Sequence, residues 1–184
     1  MNIIPQSISD VMLIYPNIHW DKRGYFFESF KKDIFDKATE YKVNFIQENE
    51  SKSSKGVLRG LHYQIEPFAQ AKLVRVIQGS VLDVAVDIRR SSLTFGKHVA
   101  VELNEDNKNQ LYIPHGFAHG FVVLSESATF AYKVDNYYEP KCDRGIAFDD
   151  KELAINWQVP PEKIKLSDKD HNHPNLADAI DLFE

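Results

Sequence analysis

Short apolar runs separated by turn residues dominate the chain between residues 41 and 135: VNFIQEN, GVLRGLHYQ, KLVRVIQGSVLDVAVDI, HVAVEL, QLYIPHGFAHGFVVL and ATFAYKV. Runs of this kind, recurring at short intervals, predict a β-sandwich or barrel. Within one of them Leu82, Val84, Val86 and Ile88 alternate with Asp83, Ala85 and Asp87, the two faces of a single strand. Alternation from Lys72 places Val74 and Val76 on its own face. Gly79-Ser80 lies between two β-rich segments, as a hairpin turn would. Helical spacing is confined to the flanks, in FKKDIFDKA with Phe30, Ile34 and Phe35, and in NLADAIDLF with Leu176, Ala179, Ile180 and Phe183. Pro160-Pro161 marks a loop before the C-terminal segment. The expectation is one domain over residues 1–184, with a β core at about 41–135 and a C-terminal helical segment at about 150–184.

Composition narrows the function classes. Hydrophobic residues make up 43% and charged residues 27%, the balance of a globular protein rather than a disordered or fibrous one. A net charge of -5 argues against a general nucleic-acid binder, so an anionic ligand must be held by a local cluster of cations. Cys142 is the single cysteine and cannot form an intrachain disulfide, which favours a reducing compartment. The N-terminal residues show no basic stretch leading into a long apolar run, and no segment reaches a membrane span, so the expected location is the cytoplasm, with no membrane partner.

The strands carry polar residues that a plain core would not need. In GVLRGLHYQ, strict alternation puts Arg59 and His62 on opposite faces; a bulge at Gly60 would bring both to one wall. Otherwise Arg59 leaves toward solvent and His62 is a hydrogen-bonded core histidine. In IPHGFAHGFVVL, Pro114, Gly116 and His119 form a PxGxxH turn of the kind found in small cupin-type barrels. Metal-binding cupins add an earlier HxH, but here that place reads His62-Tyr63-Gln64. His62, His119 and Glu66 are fewer well-placed ligands than a first-row metal site uses, so no metal is expected, and a metal-free imidazole can act as a base. Lys72 at a strand start and Tyr132 within ATFAYKV read, singly, as a solvated cap and an amphipathic core residue. Arg23 sits beside Gly24 in a turn, followed by Phe26 and Glu28 on one face of an extended segment. Arg23 and Arg59 suit forked hydrogen bonds to a diphosphate, with an aromatic ring stacking on a base; surface salt bridges are the plainer reading.

Taken in order, DKRGYFFESF, FIQEN, GVLRGLHYQ, QAKLVRVIQGSVLDVAVDIR, TFG, QLYIPHGFAHGFVVLS, YK and LSDKD resemble the dTDP-4-dehydrorhamnose 3,5-epimerase family over nearly the whole chain. The resemblance implies a mainly β, cupin-like jelly-roll barrel with short flanking helices, a homodimer, and catalysis without metal or other cofactor on a dTDP-linked 4-keto-6-deoxy sugar. It implies that His62 is the base, Asp170 its orienting carboxylate, Tyr132 the acid on the opposite face, and Lys72 the cation at the carbon 4 oxygen. His119 joins them as a binding residue. Nucleotide and diphosphate contacts fall on Arg23, Phe26, Glu28, Gln47, Glu48, Asn49, Arg59 and Lys169, with Tyr138 and Asp143 also at the substrate. Asp143 stands where the family commonly has glutamate, and Glu48 where aspartate is common.

Other readings differ in what they require. A single-site 3- or 5-epimerase keeps the same base and lysine but reprotonates one carbon only. A non-catalytic sugar-nucleotide binding module needs Arg59 and Arg23 but not the combination of His62, Asp170, Lys72 and Tyr132. A metal-dependent oxygenase needs the HxH that Tyr63-Gln64 replaces.

Overall fold

Strands such as VLDVAVD are apolar on both faces because the molecule stacks two sheets and then covers their outer sides. The computed structural model describes residues 1–40 and 43–184; Tyr41 and Lys42, at the start of the expected core, lie outside the described residues. In chain order the elements are β1 (Asn2–Pro5), β2 (Met12–Tyr15), β3 (His19–Asp21), β4 (Gly24–Phe26), α1 (Lys32–Thr39), β5 (Gln47–Ser54), β6 (Leu58–Gln64), β7 (Lys72–Gln78), β8 (Ser80–Asp87), β9 (His98–Asn104), β10 (Gln110–Ile113), β11 (Phe117–Val123), β12 (Ser127–Val134) and β13 (Asp143–Gly145).

One sheet runs β1-β2-β10-β7-β12-β5, the other β13-β6-β11-β8-β9, and β3-β4 forms a separate ribbon. The named strand pairs are antiparallel, giving a mainly β jelly-roll barrel of the cupin type with short helical elements at its flanks. Val74, Val76, Leu111 and Phe130 from the first sheet meet Val81, Ala85, Phe117 and Phe121 from the second in the barrel interior. Leu82, Val84, Val86 and Ile88 face the other way, against Leu153, Trp157, Leu176 and Ala179. The predicted alternation in β8 therefore separates two apolar layers. Phe35 of α1 seals the outside of the six-stranded sheet with Ile14, Leu73 and Tyr112.

Three elements depart from the sequence reading. The Gly79-Ser80 turn joins β7 to β8 across the two sheets and is not the turn of a paired hairpin. β1 and β2 belong to the barrel although they precede residue 41, and β5 starts only at Gln47 and runs through the polar QENESKSS. A sheet edge with one wet face selects that polarity, which hides the strand from an apolar-run search.

The third departure concerns the C-terminal segment, which contains 3-10 turns at Pro161–Lys163, Asp170–Asn172 and Leu176–Asp178 instead of an α-helix. Its backbone is tied down by non-helical partners: Leu176 N–H donates to the Asp150 carboxylate, Arg90 N–H to the Phe183 carbonyl, and Ala147 N–H to the Pro174 carbonyl. Leu176 and Ala179 are buried at 7% and 5% exposure, while Ile180 is 87% exposed. Tertiary contacts outweigh the helical spacing here.

Candidate active site

β6 lies opposite β11 with His62 against His119 and Arg59 against Phe121, so three residues of β6 span two of β11. That extra residue reverses the phase of the strand, and Arg59 and His62 line the same cavity of about 470 Å³. Gly60 permits it: its φ is 124°, and a Cβ there would stand 2.5 Å from the Gly120 Cα across the ladder. Of the two arrangements the sequence left open, the register shift at Gly60 is the one present, and it puts a cation and an imidazole on one wall.

His62 Nε2 lies 2.5 Å from Asp170 Oδ1, the length of a charge-assisted hydrogen bond. Burial pushes the Asp170 carboxyl up, but the His173, His62 and Ser167 side chains around it outweigh that and hold the group well below the usual carboxylate range. An ionised Asp170 can only accept, so His62 carries its proton on Nε2 and leaves Nδ1 free to accept one. Burial also lowers the His62 pKa below 6.5, opposed by the bond and charge of Asp170 and aided by Lys72 and Lys169.

Lys72 and Tyr132 come from the opposite sheet. In the β12–β7 ladder Tyr132 pairs with Val74 and Lys72 with Val134, which puts the two side chains diagonally on one face. Both line the His62 cavity. Burial lowers the Lys72 ammonium to about 8, with Asp83 and Asp143 pulling it up and Lys169 pushing it down. Burial raises the Tyr132 phenol above 10, against the bond from Asn49 and the charge of Arg59, so it stays protonated. Imidazole and phenol thus line one cavity from different sheets.

His119 reaches both oxygens of the fully buried Asp83, at 3.1 and 3.0 Å. Arg59 donates Nε to Ser53 Oγ at 3.1 Å, which aims its fork. A second hollow, sharing His62, Lys72, Tyr132 and Lys169 with the first, adds Gln47, Asn49, Tyr138 and Asp143. Asp143 Oδ2 accepts from Tyr138 at 2.8 Å and pairs with Lys169, so the shorter carboxylate is held by two neighbours.

Four of the expected binding residues are not brought to this cleft within the chain. Arg23 is exposed on the β3–β4 ribbon, forked onto Asp21 at 2.6 Å, and shares a separate hollow with Trp20 and Phe26. Glu28 is exposed and lies 3.7 Å from Lys31. Glu48 points away from its neighbours Gln47 and Asn49 and binds Lys133 at 2.7 Å, because β5 alternates.

The sequence reading missed Asp83 as the partner of His119, although an acid in the middle of the apolar run of β8 was a signal. It also missed His173, which no motif singles out. His62, Asp170 and His173 offer three ligand atoms within 4.8 Å of one another. The 2.5 Å from His62 to Asp170 is nevertheless shorter than the roughly 3.3 Å between two ligands of one tetrahedral zinc. The arrangement is that of a hydrogen-bonded dyad.

The fold and this cleft define a cupin-like jelly-roll barrel carrying an acid–base site. The family profile for dTDP-4-dehydrorhamnose 3,5-epimerase matches residues 5–178, and the chain belongs to that family. It is 54% identical to the dTDP-4-dehydrorhamnose 3,5-epimerase of Shigella flexneri over 97% of this chain and 98% of that one. Identity to the Escherichia coli K12 enzyme of the same description is 50%, over 99% and 98%. The dTDP-6-deoxy-D-glucose-3,5-epimerase of Legionella pneumophila, solved in complex with dTDP-4-keto-L-rhamnose, superposes with a TM-score of 0.94 at 47% identity, covering 97% of this chain and 94% of that one.

Proposed function

We propose that the protein is an isomerase that inverts carbons 3 and 5 of dTDP-4-dehydro-6-deoxy-D-glucose, giving dTDP-4-dehydro-β-L-rhamnose for dTDP-L-rhamnose biosynthesis. The observation that carries this reading is the placement of a carboxylate-bound imidazole and a protonated phenol on opposite walls of one cavity, with Lys72 beside them.

The carbon 4 ketone makes the hydrogens on carbons 3 and 5 acidic. His62 Nδ1 takes one of these protons, and the electron pair moves onto the carbon 4 oxygen. The resulting enolate is stabilised by the Lys72 ammonium, which is in place before charge develops. Tyr132 then gives its proton to the other face of the carbon, and both groups return to their resting state by exchange with solvent. The same cycle at the second carbon completes the double inversion. Asp170 keeps His62 in the tautomer that leaves Nδ1 free and stabilises the imidazolium. Arg59 and Lys169 supply the positive charge for the diphosphate, with Gln47, Asn49, His119, Tyr138 and Asp143 around the bound molecule.

Arg23, Phe26 and Glu28 enter through a homodimer in which the ribbon of one protomer reaches the cleft of its partner. Trp20 and Phe26, each 67% exposed, give that ribbon an apolar surface fit for burial. Glu48 contributes through its backbone. The chain works as one domain, in the cytoplasm, and no helix among the described residues is long and apolar enough to cross a membrane.

The test is incubation with the substrate in heavy water, followed by proton resonance of the sugar. Deuterium at carbons 3 and 5 with the inverted product supports the reading. Deuterium and inversion at one carbon only would establish the single-site alternative.

A further inference from the structure

His173 is an imidazole with no place in the proton transfers above, yet it is built into the same corner. Its side chain is 9% exposed, and Nε2 is sealed from solvent without a well-formed hydrogen bond. The acceptor facing it is Asp170 Oδ1 at 3.4 Å, the same oxygen that holds His62. The two imidazoles stand edge to face, 5.5 Å between centroids at 81°.

The fold makes room for this ring. Gly145 is the cross-strand partner of His62 in the β13–β6 pair. A Cβ on Gly145 would lie 2.4 Å from His173 Cε1 and Nε2, so the ring rests directly on the glycine. The Ala147 N–H to Pro174 carbonyl bond, 2.8 Å, pins the chain next to it. A buried donor with a long, imperfect bond contributes little to folding, and an apolar ring of the same size would suit stability as well or better.

We infer that His173 is a positioning residue for the proposed reaction: the second imidazole on Asp170, which fixes the carboxylate against His62 and sets how strongly that carboxylate draws on the base. The inference rests on the reading of His62 and Asp170 given above. With Nε2 protonated, His173 is a second donor to Oδ1 and takes up part of the negative charge that would otherwise favour the His62 imidazolium. The same contact favours the ionised Asp170. Removing the donor strengthens the pull of Asp170 on the His62 proton, so the His62 pKa rises. The other charges around the pair are Lys72 on β7, Lys169 beside Asp170, and Asp143 on β13 paired to Lys169; none of them is altered by substitution at His173.

The experiment compares wild type with His173→Phe, which fills the space over Gly145 without a donor, and His173→Gln, which restores one. Ring-nitrogen resonances of His62 are followed against pH in the ligand-free protein, and deuterium exchange into the substrate is measured in parallel. In His173→Phe the His62 titration moves up by about half to one pH unit. kcat falls roughly tenfold with KM little changed, as expected when an outer partner orients an imidazole, and the acid limb of kcat/KM moves with the titration. His173→Gln reverses much of each effect. An unmoved His62 titration in a folded His173→Phe protein overturns the inference, as does equal damage by Phe and Gln. If wild type itself exchanges no deuterium, the proposed function fails, while the resonance titration still decides the role of His173.

Discussion

His62 and His119 face one another across the β6–β11 ladder, and each is bonded through Nε2 to a different buried carboxylate, Asp170 for the first and Asp83 for the second. Their access differs. The His62 side chain is 30% exposed into the cleft, whereas His119 and Asp83 are 8% and 0% exposed. A base must be reached by its substrate, so of the two imidazoles only His62 is placed for the proposed proton transfer, while His119 lines the wall. His62→Ala should abolish deuterium exchange at both sugar carbons while leaving dTDP affinity near wild type by calorimetry. His119→Ala should instead lower stability by on the order of 3 kcal/mol, because it leaves Asp83 buried without its partner. Wild-type exchange in His62→Ala would remove it from the mechanism.

In the proposed mechanism, Lys72 ties activity to pH. His62 must be neutral to accept a proton, and its lowered pKa puts the acid limb of kcat/KM below 6.5, with rate lost as pH falls. Lys72 must be charged, and with its ammonium lowered to about 8 the rate falls again as pH rises through that value. Lys72→Ala should lose about 10² to 10³ in turnover, as for loss of one oxyanion donor. A change confined to KM would reduce Lys72 to a binding residue.

Tyr132→Phe separates exchange from inversion. The dyad and Lys72 remain, so the enolate still forms and solvent deuterium still enters the sugar. Without the phenol, little inverted product accumulates. Product configuration and isotope content measured in one sample decide the matter; normal inversion by Tyr132→Phe would make the ring a packing element only.

The dimer reading of Arg23 has a complementation test. Arg23→Ala and His62→Ala are each expected to be impaired alone. Mixed after dissociation, random pairing yields half heterodimers, each with one site that has both residues, so activity returns to roughly a quarter of wild type. No recovery in a mixture shown to contain heterodimers would place Arg23 outside the partner's site.

Asp87 anchors the loop after β8. Burial pushes its carboxyl up, but donors from Arg89, Ser92 and Thr94 prevail and hold it at about 2. A carboxyl depressed on folding stabilises above its unfolded value of about 3.9, and that share is lost as pH falls toward 2. The amount is on the order of 2 kcal/mol. Asp87→Asn should lose it at neutral pH and flatten the acid limb of a urea stability curve; an unchanged curve would refute the linkage.

Local pattern was enough for the β barrel, and the motif resemblance for the residues of its cleft. Period-two alternation in β8 and from Lys72 in β7 needs only local geometry, so the inward and outward residues were legible, and Gly60 marked where a bulge could fall. The motif resemblance named His62, Lys72, Tyr132 and Asp170, which meet in one cleft. The rest depended on contacts between residues far apart in the chain. Gly79-Ser80 looks like a hairpin turn in any local window, yet β7 and β8 separate into different sheets because each pairs with strands distant in sequence. NLADAIDLF has helical spacing, but its backbone bonds to Asp150 and Arg90 and its apolar side chains pack against the layer outside the five-stranded sheet. The pairings His119 with Asp83 and His173 with Asp170 depend on which side chains face each other inside the fold, and periodicity along a strand carries no such information. Arg23, Phe26 and Glu28 carry the same lesson outward: the motif names them, but one chain does not bring them to its own cleft.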